Sequence, residues 1–191
     1  MNRITTIAWI VLLVGLFGCT KDRTFAPPSS PPPAGGAGNI VKGTLTINEF
    51  MAKGSAFYNE LDPVPGDNDW LELYNTTGDT IHLEEGTWFL TDDVLDTTMF
   101  EMPDTLILPN GFLSVQCDEQ DTLISQIHTN FKLSSSGEHA ALFFKNDASW
   151  VLVDEYQFGL QTPGVSMARF PDGSTNWIFS NNPTPDTNNQ E

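Results

Sequence analysis

Carboxylates are the densest side-chain constellation in this sequence that could do chemistry. Asp62, Asp67 and Asp69 crowd the approach to Trp70, and Asp92, Asp93 and Asp96 follow the run around Trp88. Hard calcium takes about six to eight oxygen ligands at about 2.3–2.6 Å, and loops of Asp, Asn and backbone carbonyls supply them flexibly. If the chain meanders up, down and up through its strands, both groups reach one end of the fold and all six carboxylates converge on a calcium ion. Asp67-Asn68-Asp69 has the alternating look of a calcium loop but lacks the later glycine and bidentate glutamate of an EF-hand. The competing reading is a solvated acidic rim that keeps the protein in solution.

Nucleophilic chemistry finds less to work with. His82, His128 and His139 and the serines at 134–136 are the raw material of a hydrolytic triad, yet no Gly-x-Ser-x-Gly elbow occurs. Ser134-Ser135-Ser136-Gly137-Glu138 reads instead as a bend, its hydroxyls bonding local backbone and Gly137 taking the strained position. Cys117 ends an alternating run with Leu113 and Val115 on its side, as expected of a buried, inert thiol. Cys19 and Cys117 sit in unrelated contexts, so neither a disulfide nor a zinc site is expected. Glu72 shares a side with Trp70 and Tyr74, and Arg169, one of few basic residues in the folded part, is its expected partner in a structural ion pair. Trp70, Tyr74, Trp88, Trp150 and Trp177 are candidates for an exposed aromatic face that stacks on sugars, with Phe57 and Tyr58 as anchors in the long loop 54–68. A sandwich core consumes such residues by default.

The charge balance removes one class of partner. With 25 acidic against 8 basic residues and a net charge of −17, the chain repels polyanions, so nucleic-acid binding is not expected. Arg3 and the apolar run 7–17, too short for the roughly 20 residues of a spanning helix, form a leader over 1–18. Leu16-Phe17-Gly18-Cys19 closes it and resembles a bacterial lipobox, with Phe17 bulkier than usual. That resemblance implies cleavage before Cys19 and acylation of its sulfur and amine, hence anchoring to a membrane at about 0.8 kcal/mol per buried methylene. Residues 19–43 read as a disordered tether: the stretch 20–40 holds five prolines and three glycines and little that can be buried. Lys21-Asp22 weakly resembles a surface-export signal of envelope lipoproteins.

From Thr44 onward, short apolar runs alternate with turn residues about every ten positions, the pattern of an all-β sandwich. Strands are expected at 44–51, 70–75, 80–83, 87–91, 99–102, 112–117, 140–145, 150–158, 166–170 and 176–179. In the first of these Leu45, Ile47 and, by the same count, Glu49 share one side; in the second Leu71 and Leu73 share one side. Thr77-Gly78-Asp79, Pro109-Asn110-Gly111, Ser136-Gly137-Glu138 and Pro171-Asp172-Gly173 supply the turns.

Asp69-Trp70-Leu71-Glu72-Leu73-Tyr74-Asn75, Trp88-Phe89-Leu90-Thr91-Asp92-Asp93, Leu108-Pro109-Asn110-Gly111-Phe112-Leu113, the stretch from His128 to Glu138, Val153-Asp154, the stretch from Ser166 to Gly173 and the closing Pro183-Thr184-Pro185 resemble, in order, the lamin tail domain. The likeness covers about 45–188 and rests above all on Trp70, Glu72, Asn75, Asn130, Phe131, Leu133, Ser134, Gly137, Arg169, Pro171, Asp172 and Gly173. Asp186 stands where that family usually has glycine. The resemblance implies an immunoglobulin-like β-sandwich over 44–188, ahead of a short tail at 189–191. Bacterial members are secreted or lipid-anchored and often sit beside nucleases, phosphatases or adhesion modules, none of which is expected here. The resulting expectation is a non-catalytic lipoprotein of the bacterial cell envelope, on the outer membrane, that contacts a protein or glycan. The rivals are a calcium-binding accessory module, a hydrolase-associated protein working through the acidic end, and a self-associating architectural element.

Overall fold

The computed structural model describes residues 40–53, 69–120, 126–147 and 149–191. The leader, Cys19, the tether up to residue 39, Asp62, Asp67, Phe57, Tyr58 and the rest of loop 54–68 lie outside the described residues. Among the described residues there are twelve strands and no helix: β1 (Leu45–Met51), β2 (Asp69–Asn75), β3 (Ile81–Leu83), β4 (Trp88–Thr91), β5 (Phe100–Glu101), β6 (Thr105–Ile107), β7 (Phe112–Cys117), β8 (Ile127–His128), β9 (Glu138–Asn146), β10 (Ser149–Phe158), β11 (Ser166–Arg169) and β12 (Trp177–Ser180). They form a six-stranded sheet in the order β12-β11-β1-β2-β7-β8, a four-stranded sheet in the order β10-β9-β4-β5, and the small pair β3-β6.

The inner faces of the two larger sheets share one core, as in a β-sandwich. Leu45, Ile47, Phe50, Leu71, Leu73 and Val115 meet Trp88, Leu90, Leu142, Phe144, Val153 and Phe158. The Phe50 ring lies 4.6 Å from Phe158 and 5.7 Å from Trp177. Removing each such side chain from water contributes about 1.5–3 kcal/mol, which is why strict alternation along β2 and β7 suffices to place them.

Two bulges break that alternation. In β1, Ile47 pairs with Leu73 and Glu49 pairs with Glu72, so Asn48 has no cross-strand partner. The extra residue turns Glu49 to the outer face beside Glu72 and Phe50 to the core beside Leu71, which corrects the expected inward side for Glu49. In β10, Leu152 pairs with Phe143 and Asp154 with the core residue Leu142, so the bulge at Val153 aims an aspartate at the sandwich interior.

The strand β7 begins and ends where the alternation places it, and most others shift by a residue or two. Two strands, β6 and β8, have no expected counterpart: they run for three and two residues, too few for any period to show. The turn chemistry holds. Asn110, Gly137 and Gly173 have φ of 52°, 110° and 68°, and Phe170-Pro171 is cis. At Gly137 an added Cβ would stand 2.7 Å from the carbonyl oxygen of Phe158, so the glycine answers to crowding as well as to its dihedral.

Candidate functional site

Asp69 opens β2, Asp92 follows β4 and Glu138 opens β9, and these points share one end of the molecule: Asp69 and Asp92 both raise the proton affinity of Glu138 and of the Cys117 thiol. Glu138, bonded by the Ser134 amide, is pushed up to about 7, first by burial and then by the two aspartates. Its part in this end was invisible in the sequence, where it reads as the tail of the serine bend. Asp92 is raised as well, by burial and by Asp93 and Asp96.

The six-carboxylate convergence expected for calcium does not form among the described residues, where no group of three or more His, Cys, Asp or Glu side chains is placed to hold a metal ion. The reason is local. Asp93 turns its Oδ1 to the Leu95 amide at 2.9 Å, and Asp96 turns its own to the amide and hydroxyl of Thr98, so both carboxylates close their own loop. Asp62 and Asp67 lie outside the described residues.

Cys117 is fully buried, and burial holds its thiol well above the ordinary range, so no thiolate forms near neutral pH. His128 Nδ1 and Asp118 Oδ2 lie 2.8 Å apart in the interior, and Asp118 also accepts from the amide and side chain of Gln120. The pair ties the end of β7 to β8 and is too deeply buried to meet a substrate. The Ser134 and Ser136 hydroxyls bond each other at 2.8 Å, as befits a bend.

The residues that carried the resemblance are structural fasteners. Asn75 donates to the carbonyls of Asp79, Ile107 and Leu108 and accepts from Thr77, clamping β2 to the turn before β7. Asn130 donates to Met99 O, while Phe131 and Leu133 enter the core. Gly173 donates its amide to Asn48, and Asp172 accepts from Asn48, Asn188 and Asn189. Pro171 precedes them and accepts from the Ser174 amide.

Arg169 does not reach Glu72. It bonds both oxygens of Asp154 at 3.1 and 2.9 Å, sends Nε to Ile47 O and Nη1 to Ser174 O, and lies 4.6 Å from the Trp177 ring. Glu72, on the outer face with Trp70 and Tyr74, instead accepts from Asn48 Nδ2 and the Asp186 amide. Burial pushes Glu72 up to about 8, against the pull of those two bonds, and Glu49 and Asp186 push the same way. Glu49 is raised too, again chiefly by burial. Position 186 has a φ of 61°, the left-handed region in which glycine is at ease and aspartate is tolerated.

Of the aromatic candidates, Trp88 is core, Trp70 is buried on the outer face, Tyr74 packs on Phe112, and Trp177 stacks on Tyr156 at 4.1 Å. Trp150 is different. It is 39% exposed on the outer face of the four-stranded sheet, edge-on to Phe89 at 5.1 Å, with Lys145 Nζ 5.8 Å from its ring. Phe89, Ala141 and Phe143 form a second apolar cluster under it with Val94 and Leu152, and Leu95 beside Val94 is 90% exposed. Comparison of the chain with family models, with curated proteins and with solved structures finds no match.

Proposed function

We propose that this chain is a non-catalytic lipoprotein of the bacterial envelope, anchored through Cys19, whose folded part is an immunoglobulin-like sandwich of the lamin tail kind that docks on an envelope protein or glycan. The all-β architecture and the ordered run of motifs from Trp70 to Gly173 support the domain type. The observation that carries the contact role is Trp150. A large ring held edge-on by Phe89, backed by its own small apolar cluster and flanked by a lysine, offers a rigid stacking surface at little entropic cost. The buried ion pair Arg169–Asp154 and the buried pair His128–Asp118 serve as fasteners, which suits contact better than turnover.

The test has two arms. Mass spectrometry of the mature amino terminus is expected to find Cys19 acylated, and C19S to free the protein from membranes; a protein in the medium with an unmodified thiol sinks the anchor. Immobilised envelope glycans are expected to retain the wild type and release W150A, and equal retention of both sinks the Trp150 face.

A further inference from the structure

Residues 183–189 cross the outer face of the six-stranded sheet, and their hydrogen bonds run to three carboxylates. The Thr184 amide and hydroxyl donate to Glu49 at 3.0 and 3.1 Å, and the Asp186 amide to Glu72 at 2.6 Å. The Asn188 side chain and Asn189 amide donate to Asp172 at 2.8 and 3.0 Å. Asn189 Nδ2 also bonds Asn48 O and Arg169 O, and Asp186 accepts from the Ser114 amide. Glu49 and Glu72 stand opposite each other in the β1-β2 register, and both are fully buried.

Among the described residues, the charged groups that act on the pair are all acidic. Beyond the effect of burial, which is the larger in each case, Asp172 from the β11-β12 turn raises Glu49 and also Tyr74, and Asp186 from the C-terminal segment raises Glu72. The remaining hydrogen bonds to the pair come from Ser166 and Asn48, which are neutral, and the nearby Arg169 guanidinium is turned to Asp154. Two adjacent carboxylates without a cation do not both ionise while buried.

We propose that residues 183–189 are a proton-dependent strap, closed over the outer face of the six-stranded sheet while the Glu49–Glu72 pair holds its protons and released as the pair ionises. Opening lets water reach both carboxylates, so the open state holds protons less tightly than the closed one. Closure therefore takes up protons, and raising the pH favours opening by up to about tenfold per pH unit for each linked proton. Ionisation strengthens the hydrogen bonds that the pair accepts, but at Glu72 burial and the facing charges outweigh those from Asn48 and the Asp186 amide.

Hydrogen exchange of the full chain, read by mass spectrometry and divided by intrinsic rates, tests this between about pH 5 and pH 9. Protection of the peptide covering 183–191 is expected to fall at least tenfold over that range while β9-β10 peptides keep theirs. E72Q, which stays neutral, is expected to hold protection at acid pH and to flatten the profile. A pH-independent wild-type profile overturns the strap, as does an E72Q profile as steep as the wild type. Should E72Q fail to fold, as β9-β10 protection would reveal, E49Q is judged by the same criterion alongside the wild-type curve.

Discussion

Arg169 on β11 holds Asp154 on β10 through both carboxylate oxygens, and the two side chains together bond both polar groups of one residue: Ile47 donates its amide to Asp154 and accepts Arg169 Nε on its carbonyl. The ion pair takes the place of a backbone ladder where the β1 bulge ends the pairing with β11. It also fastens one sheet to the other.

Arg169→Ala strands a buried carboxylate and an unbonded carbonyl, so urea unfolding is expected to show a loss of about 3–5 kcal/mol. Arg169→Lys is expected to recover only part of this, because an ammonium cannot reproduce the two-pronged bond. A loss below about 1 kcal/mol for the alanine variant would place this pair with ordinary surface bridges.

Stability is expected to fall as pH rises. Glu72 and Glu138 have folded-state pKa values raised to about 8 and about 7, so the native state binds more protons than the unfolded chain above the ordinary carboxylate range. Their contribution is complete below about pH 4.5 and is lost as pH climbs through 7 and 8. Denaturant midpoints measured from about pH 5 to pH 9 are expected to decline, and E72Q to decline less. A midpoint that rises over this range contradicts the protonated pair.

Gly137→Ala combines a left-handed φ with a contact of 2.7 Å to Phe158 O. A loss of about 2 kcal/mol or more in unfolding free energy is expected, against a few tenths for Gly78→Ala, where the space is open. Equal effects at the two sites would mean that the bend before β9 relaxes freely.

The tryptophans should separate cleanly. Trp88→Ala empties the core and is expected to cost about 3–5 kcal/mol, whereas Trp150→Ala removes a partly exposed ring and is expected to cost about 1 kcal/mol. Comparing thermal unfolding of the two variants checks the assignment of one to packing and the other to contact.

Period-two alternation made β2 and β7 legible, because Leu71, Leu73 and Val115 have a single face on which to be buried and no irregularity intervenes. The same rule misplaced Glu49, since one inserted residue at Asn48 reverses every side chain beyond it and leaves no mark in composition. Asp154 was legible only as part of the Val153-Asp154 strand, and its inward aim was missed for the same reason, one residue past the bulge in β10. With Asp154 in the interior, Arg169 had a nearer and better-aligned partner than Glu72.

What the residues determined by themselves is the class of structure: strands from alternation, turns from Gly, Pro and Asn, a buried Cys117, and a strongly acidic balance of charge. Those are local properties, decided by dihedral preference and by which side chains water rejects. Which charges meet was settled only by folding. Glu49 faces Glu72 from 23 residues away under a segment from the chain's end, and Asp93 and Asp96 spend their oxygens on neighbouring amides. Electrostatic partnership depends on distance in space and on loss of solvent, and neither quantity is written in the order of the residues.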